Sequence, residues 1–231
     1  LVFAKVITTS AAVAFVILLL SCSKSRKVHD LEGHNYKTIK IGNTEWFAEN
    51  LQTAFFQNGD SIPNILEDSL WFSLSTPGFC YYDNNPNNKN TFGNLYNWYA
   101  VNDKRKICPC GWEVATKSHF GELSRLFGGD QVSGKSLKDN SNRLWLGDTI
   151  STNVSGFSAV PGGHRNEHFE RSGKYAFFWQ KDDYHGQACF TENLCAYECS
   201  ILSDFSYVNQ DFGHKYRGMS VRCVKIEKSM K

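Results

Sequence analysis

The chain has 231 residues, a formal net charge of +2 and 14% aromatic residues. Less an export segment, that length suits one domain with a sizeable core, two small domains being the alternative. Lys and Arg are scattered and balanced by acids, which argues against a nucleic-acid partner, while nineteen Asn beside eighteen Gly point to long, turn-rich loops on a rigid frame.

The N-terminus reads as an address and not as fold. Lys5 precedes an uncharged apolar run from Val6 to Leu20, and Ser21-Cys22 follows. The run is shorter than the roughly 20 residues a bilayer span needs, and a small residue sits at the expected cut. The ending resembles a bacterial lipoprotein lipobox, with Cys22 as the lipidated first residue, although Leu20 is bulkier than that motif usually allows. Residues 1–21 are then a signal peptide, 22–30 a lipidated polar tether and 31–227 the folded domain. The expected partner is a membrane reached through the lipid, and the expected location is the cell envelope, at the outer membrane or cell surface. An uncleaved N-terminal membrane anchor is the alternative.

Tyr36–Ile41 and Thr44–Asn50, two β-prone runs around Gly42-Asn43, predict a hairpin. Asn58-Gly59 and Pro63-Asn64 break the next stretch into short pieces. Phe79 to Tyr82 predicts a strand, and Asp83 to Asn90 a very polar loop. The stretch from Thr91 to Trp112 holds Phe92, Tyr96, Trp98, Tyr99 and Trp112, closed by Cys108-Pro109-Cys110-Gly111. Rings so dense are read as core. Thr91 can cap a helix from about Phe92 to Val101. A second helix is capped by Thr116 or Ser118, carries Phe120, Leu123, Leu126 and Phe127 at helical spacing, and stops at Gly128-Gly129. Gly134 to Lys138 predicts one more turn. Beyond Asp139, short runs at 156–160, 175–179, 187–190 and 219–226 read as strands joined by long loops. Two central helices with strands at both ends predict an α+β fold whose antiparallel sheets bring the termini together.

Besides Cys22 there are seven cysteines, at 80, 108, 110, 189, 195, 199 and 223. In an oxidising envelope these favour disulfides over metal, and an odd number leaves one thiol free or shared between chains. Cys108-x-Cys110 and Cys195-x3-Cys199 can be written as a zinc site, but the first lacks the usual two-residue gap. No cofactor or metal is expected.

Several segments together resemble one pattern: Tyr36–Gly42, Trp46–Leu51, Asn94–Val101, Cys108-Pro-Cys-Gly-Trp112, Ser155–Gly163 and Ser220–Val224. In that order, over roughly Asp30 to Lys225, they are similar to the Fibrobacter succinogenes major paralogous domain family of bacterial secreted and lipoprotein modules. The resemblance implies a C-type lectin-like fold, shared with formylglycine-generating enzymes and phage receptor-binding proteins, and no assigned activity. It also implies a Cys108–Cys223 bridge from the helical centre to the final strand. The loop cysteines, Cys195 and Cys199 among them, would staple one another, with Cys110 a further partner. The chain departs from the family at Cys110, Glu113, Ala115 and His119-Phe120, and in carrying Cys189, Cys195 and Cys199.

Catalytic and metal chemistry finds little support. Asp83, Asn85 and Asn87 alternate as calcium ligands would, but Asn88 stands where the sharp-turn Gly belongs and position twelve is Asn94. A solvated Asx-turn loop is the better reading. His164-x3-His168 would need a helix that Pro161-Gly162-Gly163 disfavours. No Ser lies in a G-x-S-x-G elbow, and Asp182-Asp183 on a strand would point to opposite faces. Cys195 and Cys199 could mimic the reactive pair of the formylglycine-generating relatives, but no flanking motif supports it.

Binding fits better. Phe178 to Tyr216 holds Trp179, Tyr184, His185, Tyr197, Tyr207, Asn209, Asp211, His214 and Tyr216. Flat rings beside hydrogen-bonding groups suit a glycan or a surface protein. Trp179, Tyr184, His185, Tyr207, Asn209, Asp211 and Tyr216 are the candidate ligand-binding set, with burial of half the rings as the alternative. The Asn, Tyr, Asp, Ser and His content also fits adenine-directed diversification. Asp60-Ser61-Ile62, Asp68-Ser69-Leu70 and Asp148-Thr149-Ile150 resemble O-glycan attachment sites of some envelope bacteria. The function read from the sequence is non-catalytic surface recognition or adhesion. A structural envelope component, and more distantly a formylglycine-generating-like enzyme, are the alternatives.

Overall fold

A computed structural model describes residues 27–140, 144–186, 189 and 194–227. The export segment, Cys22 and all but Cys189 of the expected 187–190 strand lie outside the described residues. Among those residues no helix is long and apolar enough to cross a membrane.

The chain opens with a small ribbon of β1 (Val28–His29) and β2 (Asn35–Tyr36). The predicted hairpin follows as β3 (Thr38–Ile41) and β4 (Thr44–Phe47). Gly42 at its turn has φ 58°, the left-handed conformation a two-residue turn demands. Next come α1 (Asp68–Phe72), which buries Trp71, and β5 (Phe79–Cys80). This strand stops short of Tyr82 because residues 82–84 wind into a 3₁₀ turn with Asp83 and Asn84 at positive φ.

The helix expected over 92–101 is broken in two. Its first piece, α2 (Lys89–Phe92), ends at Gly93, where φ is 73°. An extended pair, β6 (Leu95–Tyr96), intervenes before α3 (Trp98–Val101), whose start is capped by the Asn97 side chain accepting from the Ala100 N–H. The cause is close approach: a Cβ on residue 93 would lie 2.7 Å from Asn50 Cβ and 2.8 Å from the Leu51 carbonyl oxygen. Tyr96 and Trp98 are nevertheless buried, as the density of rings required.

After β7 (Trp112–Val114) comes α4 (Lys117–Leu126), the predicted second helix. Thr116 accepts from the His119 N–H while the His119 ring accepts from the Thr116 N–H, a capping box with imidazole in the usual Glu place. Phe120 and Leu123 face the core, whereas Leu126, expected on that face, stays exposed over Gly42. The short α5 (Gly134–Leu137) is the expected extra turn.

The second half holds more sheet than its sequence suggested. It contains β8 (Gly162–Arg165), β9 (Phe169–Ser172), β10 (Tyr175–Asp183), β11 (Cys195–Leu202), β12 (Val208–His214) and β13 (Cys223–Lys225). Residues 156–160 are not a strand and make only a single bridge, Lys138 to Ala159. Of the segment from 180 to 216, read as loops apart from a short strand at 187–190, much is the end of β10 together with β11 and β12.

Two main sheets result, ordered β12-β11-β10-β8-β9 and β3-β4-β13-β7. All pairings are antiparallel except β8 with β10. The last strand therefore lies between β4 and β7, with Val224 opposite Trp46 and Cys223 opposite Val114. Cys108 and Cys223 form a disulfide across a separation of 115 residues, which ties the central segment to that strand.

Strand β10 explains the layering. Its run Ala176-Phe177-Phe178-Trp179 is buried throughout, which a strand can be only if both its faces are covered. Ala176 and Phe178 pack with Trp46, Phe120 and Phe157 in one core. Phe177 and Trp179 join Tyr96, Trp98, Trp112 and Met219 in another.

Candidate ligand-binding face

Period-two alternation divides the side chains of β10, β11 and β12. Ala176, Phe178, Cys199, Ile201 and Val208 point toward α4. Tyr175, Phe177 and Trp179 point the other way, paired in register with Leu202, Ser200 and Glu198. Asn209 and Asp211 on the edge strand lie opposite Ser200 and Glu198, so they share this second face.

The seven residues proposed for ligand binding do not form one surface. Trp179 is fully buried and its Nε1–H donates to the Tyr96 carbonyl at 2.8 Å, so it is core. Tyr184 stacks on Phe212, ring centroids 4.3 Å apart, and meets Tyr197 edge-on. His185 beside it is exposed. Tyr207 pairs with Phe205 before β12 begins, at the opposite end of the sheet. Tyr216 stacks on His214 and touches Phe72. Strand geometry scatters them, because rings separated by whole strand lengths cannot converge. Asn209 and Asp211 are both exposed on the second face.

That face holds a polar cluster which the sequence reading missed. Glu198 is 5% exposed and His164 6%. Arg217 Nη1 lies 3.7 Å from Glu198 Oε2, an ion pair too long for a hydrogen bond. Glu198 Oε2, His164 Nδ1 and Arg217 Nε have no hydrogen-bond partner among the described residues. Rings wall the cluster: His164 meets Phe177 edge-on at 4.7 Å, Phe177 stacks on Tyr175 at 5.3 Å, and Arg171 covers Tyr175. Gly213 lets these side chains pack closely against the backbone, since a Cβ there would lie 2.5 Å from Glu198 Oε2 and 3.3 Å from Arg217 Nη1.

Burial sets the electrostatics. It pushes the Glu198 carboxyl up to about 7, with Arg217 opposing and Asp211 adding to the rise. Burial, then Arg217 and Arg171, brings the His164 imidazole down to about 4. At neutral pH the cluster presents a neutral imidazole, a guanidinium and a carboxyl close to its titration midpoint. Such groups can both donate and accept hydrogen bonds. The one sequence signal for Glu198 was a lone charge inside the run Cys195-Ala-Tyr-Glu-Cys-Ser-Ile.

The remaining candidates separate. Asp182 accepts from the Lys117 N–H and Asp183 pairs with Lys215, so the two acids diverge. His164 is on β8, while His168 is exposed and pairs with Asp68. Asn85 Oδ1 is engaged by the Asn87 N–H in an Asx turn. Ser61, Ser69 and Thr149 are exposed. Cys195 bonds to Cys189 and not to Cys199, which is free and buried, as is Cys80. Four residues along one strand span about 13 Å, beyond the reach of a disulfide.

The two packed sheets, the few short helices and the bonded final strand define a mixed α+β domain rich in sheet. The chain belongs to the Fibrobacter succinogenes major domain family, whose model matches residues 39–225. No curated protein and no solved structure matches it.

Proposed function

We propose that this is a cell-envelope recognition module, C-type lectin-like in fold and held at a membrane through lipidated Cys22. It binds a glycan or a surface protein without catalysis, through the part of the five-stranded sheet's second face left uncovered beyond the Phe177–Trp179 core, where Tyr175, Asn209 and Asp211 are accessible. The observation that carries this reading is the trio of buried polar atoms without partners, on Glu198, His164 and Arg217, set beside the Tyr175 and Phe177 rings. Rings and unfilled hydrogen-bonding groups together are what a sugar face or a polar epitope requires. Asn209 and Asp211 extend the face at its edge.

The test is binding of the soluble domain to a glycan array and to surface proteins of its own envelope. Tyr175→Ala and Asp211→Ala should each weaken a detected interaction at least tenfold while leaving the fold intact. A blank array and no captured envelope protein, or binding indifferent to both substitutions, rejects the assignment. Metabolic labelling with a fatty acid that survives Cys22→Ala rejects the anchor.

A further inference from the structure

A second chemistry gathers at the far end of β11 and β12. The register places Cys195 directly opposite His214, and their Sγ and Nδ1 atoms are 3.8 Å apart. Cys189 is bonded to Cys195, and the donor atoms of all three residues lie within 4.8 Å of one another. In a tetrahedral zinc site with Zn–S near 2.3 Å and Zn–N near 2.05 Å, a sulfur and a nitrogen ligand stand about 3.6 Å apart. The Cys195–His214 pair is already at nearly that spacing, held there by a strand ladder and not by a loop.

We propose that reduction of the Cys189–Cys195 disulfide turns this sheet end into a zinc site, with Cys189, Cys195 and His214 as ligands. A dithiol supplies two electrons and two protons: the Cys189–Cys195 bond breaks, two thiols form, and the reductant leaves as its own disulfide. Zn²⁺ then binds both sulfurs as thiolates, releasing two protons, and takes the neutral His214 Nδ1 as third ligand. Two thiolates and an imidazole are a donor set suited to zinc, and three protein ligands leave a fourth position for water or an anion. The oxidised pair has no thiolate to offer, so the same residues serve as a staple in one redox state and a metal site in the other. Sequence spacing pointed zinc only at Cys108-x-Cys110 with Cys195-x3-Cys199. The strand register selects different partners.

The test uses the folded chain with and without a phosphine reductant, titrated with Co²⁺ and then Zn²⁺. The reduced protein should bind one equivalent, with an intense near-ultraviolet thiolate-to-cobalt band that Zn²⁺ abolishes, and the oxidised protein should show neither. Cys189→Ser with Cys195→Ser should remove the band, and His214→Ala should weaken zinc at least tenfold. His214 is half-buried at a strand end, so its variant keeps the test valid if the double serine variant fails to fold. A reduced protein that binds no zinc, or whose affinity is unmoved by His214→Ala, overturns the proposal.

Discussion

The Cys108–Cys223 bond makes a prediction whose size comes from its place in the chain. It closes 115 residues, whereas Cys189–Cys195 closes only 6. Loop-closure entropy scales with the logarithm of loop length, which gives roughly 5 kcal/mol for the first bond and roughly 2 kcal/mol for the second. All four cysteines are largely buried, so replacing each pair by Ala removes similar packing and leaves the entropy difference exposed. The measurement is urea unfolding of the two double variants beside the parent. At a slope of about 2.5 kcal/mol per molar, Cys108→Ala with Cys223→Ala should lower the midpoint by roughly 2 M, and Cys189→Ala with Cys195→Ala by roughly 1 M. Because the comparison is a ratio, it survives error in the slope. Equal losses, or the larger loss from the short loop, would refute the claim that the long bond restrains the unfolded chain more strongly.

Glu198 and His164 should give stability opposite slopes with pH. The unfolded chain gives up the Glu198 proton near 4.5 and the folded one near about 7, so stability from this group falls as pH rises through that window, by on the order of 3 kcal/mol. The unfolded chain protonates His164 near 6.5 but the folded one only near about 4, so stability from His164 is lost as pH falls, by a similar amount. Across pH 4.5 to 6.5 the two cancel in the parent. Melting curves should therefore show Glu198→Gln gaining stability with rising pH over that range and His164→Asn losing it; two variants with parallel pH profiles would contradict the assignment. At Gly93, Ala must adopt positive φ and meet Asn50 and the Leu51 carbonyl, which should destabilise by about 2–4 kcal/mol in denaturant titration. A near-neutral Gly93→Ala would show that close approach is not what breaks the helix.

Local signals made part of this fold legible and concealed the rest. The β3–β4 hairpin and α4 could be read because a turn pair, a cap and a helical period lie inside the segments they govern. The same spacing misled at 92–101, where Phe92, Leu95, Tyr96 and Tyr99 fit a helix but distant Asn50 and Leu51 decide the backbone at Gly93. Strands β8 and β12 gave no strand signal. Gly162-Gly163-His164-Arg165 is buried through its neighbours and not through its composition, and β12 is a polar edge strand. The candidate face was legible only at its rim, in Asn209 and Asp211. Trp179 was assigned to it because a tryptophan in a ring-rich segment looks the same in sequence on either face of a strand. Cys108 with Cys223 came from resemblance, whereas the sequence left open which loop cysteine bonds to Cys195, and that partner is Cys189.

The buried charges elsewhere show why the Glu198 cluster stands apart. Arg222 is fully enclosed, yet it donates to the Phe47, Phe157 and Ser158 carbonyls and to Asn50. Lys138 donates to the Leu202, Ser203 and Phe205 carbonyls and to Asp148. Arg165 reaches the Ile65 and Leu66 carbonyls and Asp68. Most of these carbonyls belong to chain without regular structure, the exceptions being Phe47 at the end of β4 and Leu202 at the end of β11, so the cations help hold loops in place where ladders are absent. Glu198 does nothing comparable: its nearest cation is 3.7 Å away and one of its oxygens is unpartnered. Arg165 Nε and Asp148 Oδ2 are unpartnered as well, so what sets Glu198 apart is its long ion pair beside a stack of rings and not its unpartnered oxygen alone.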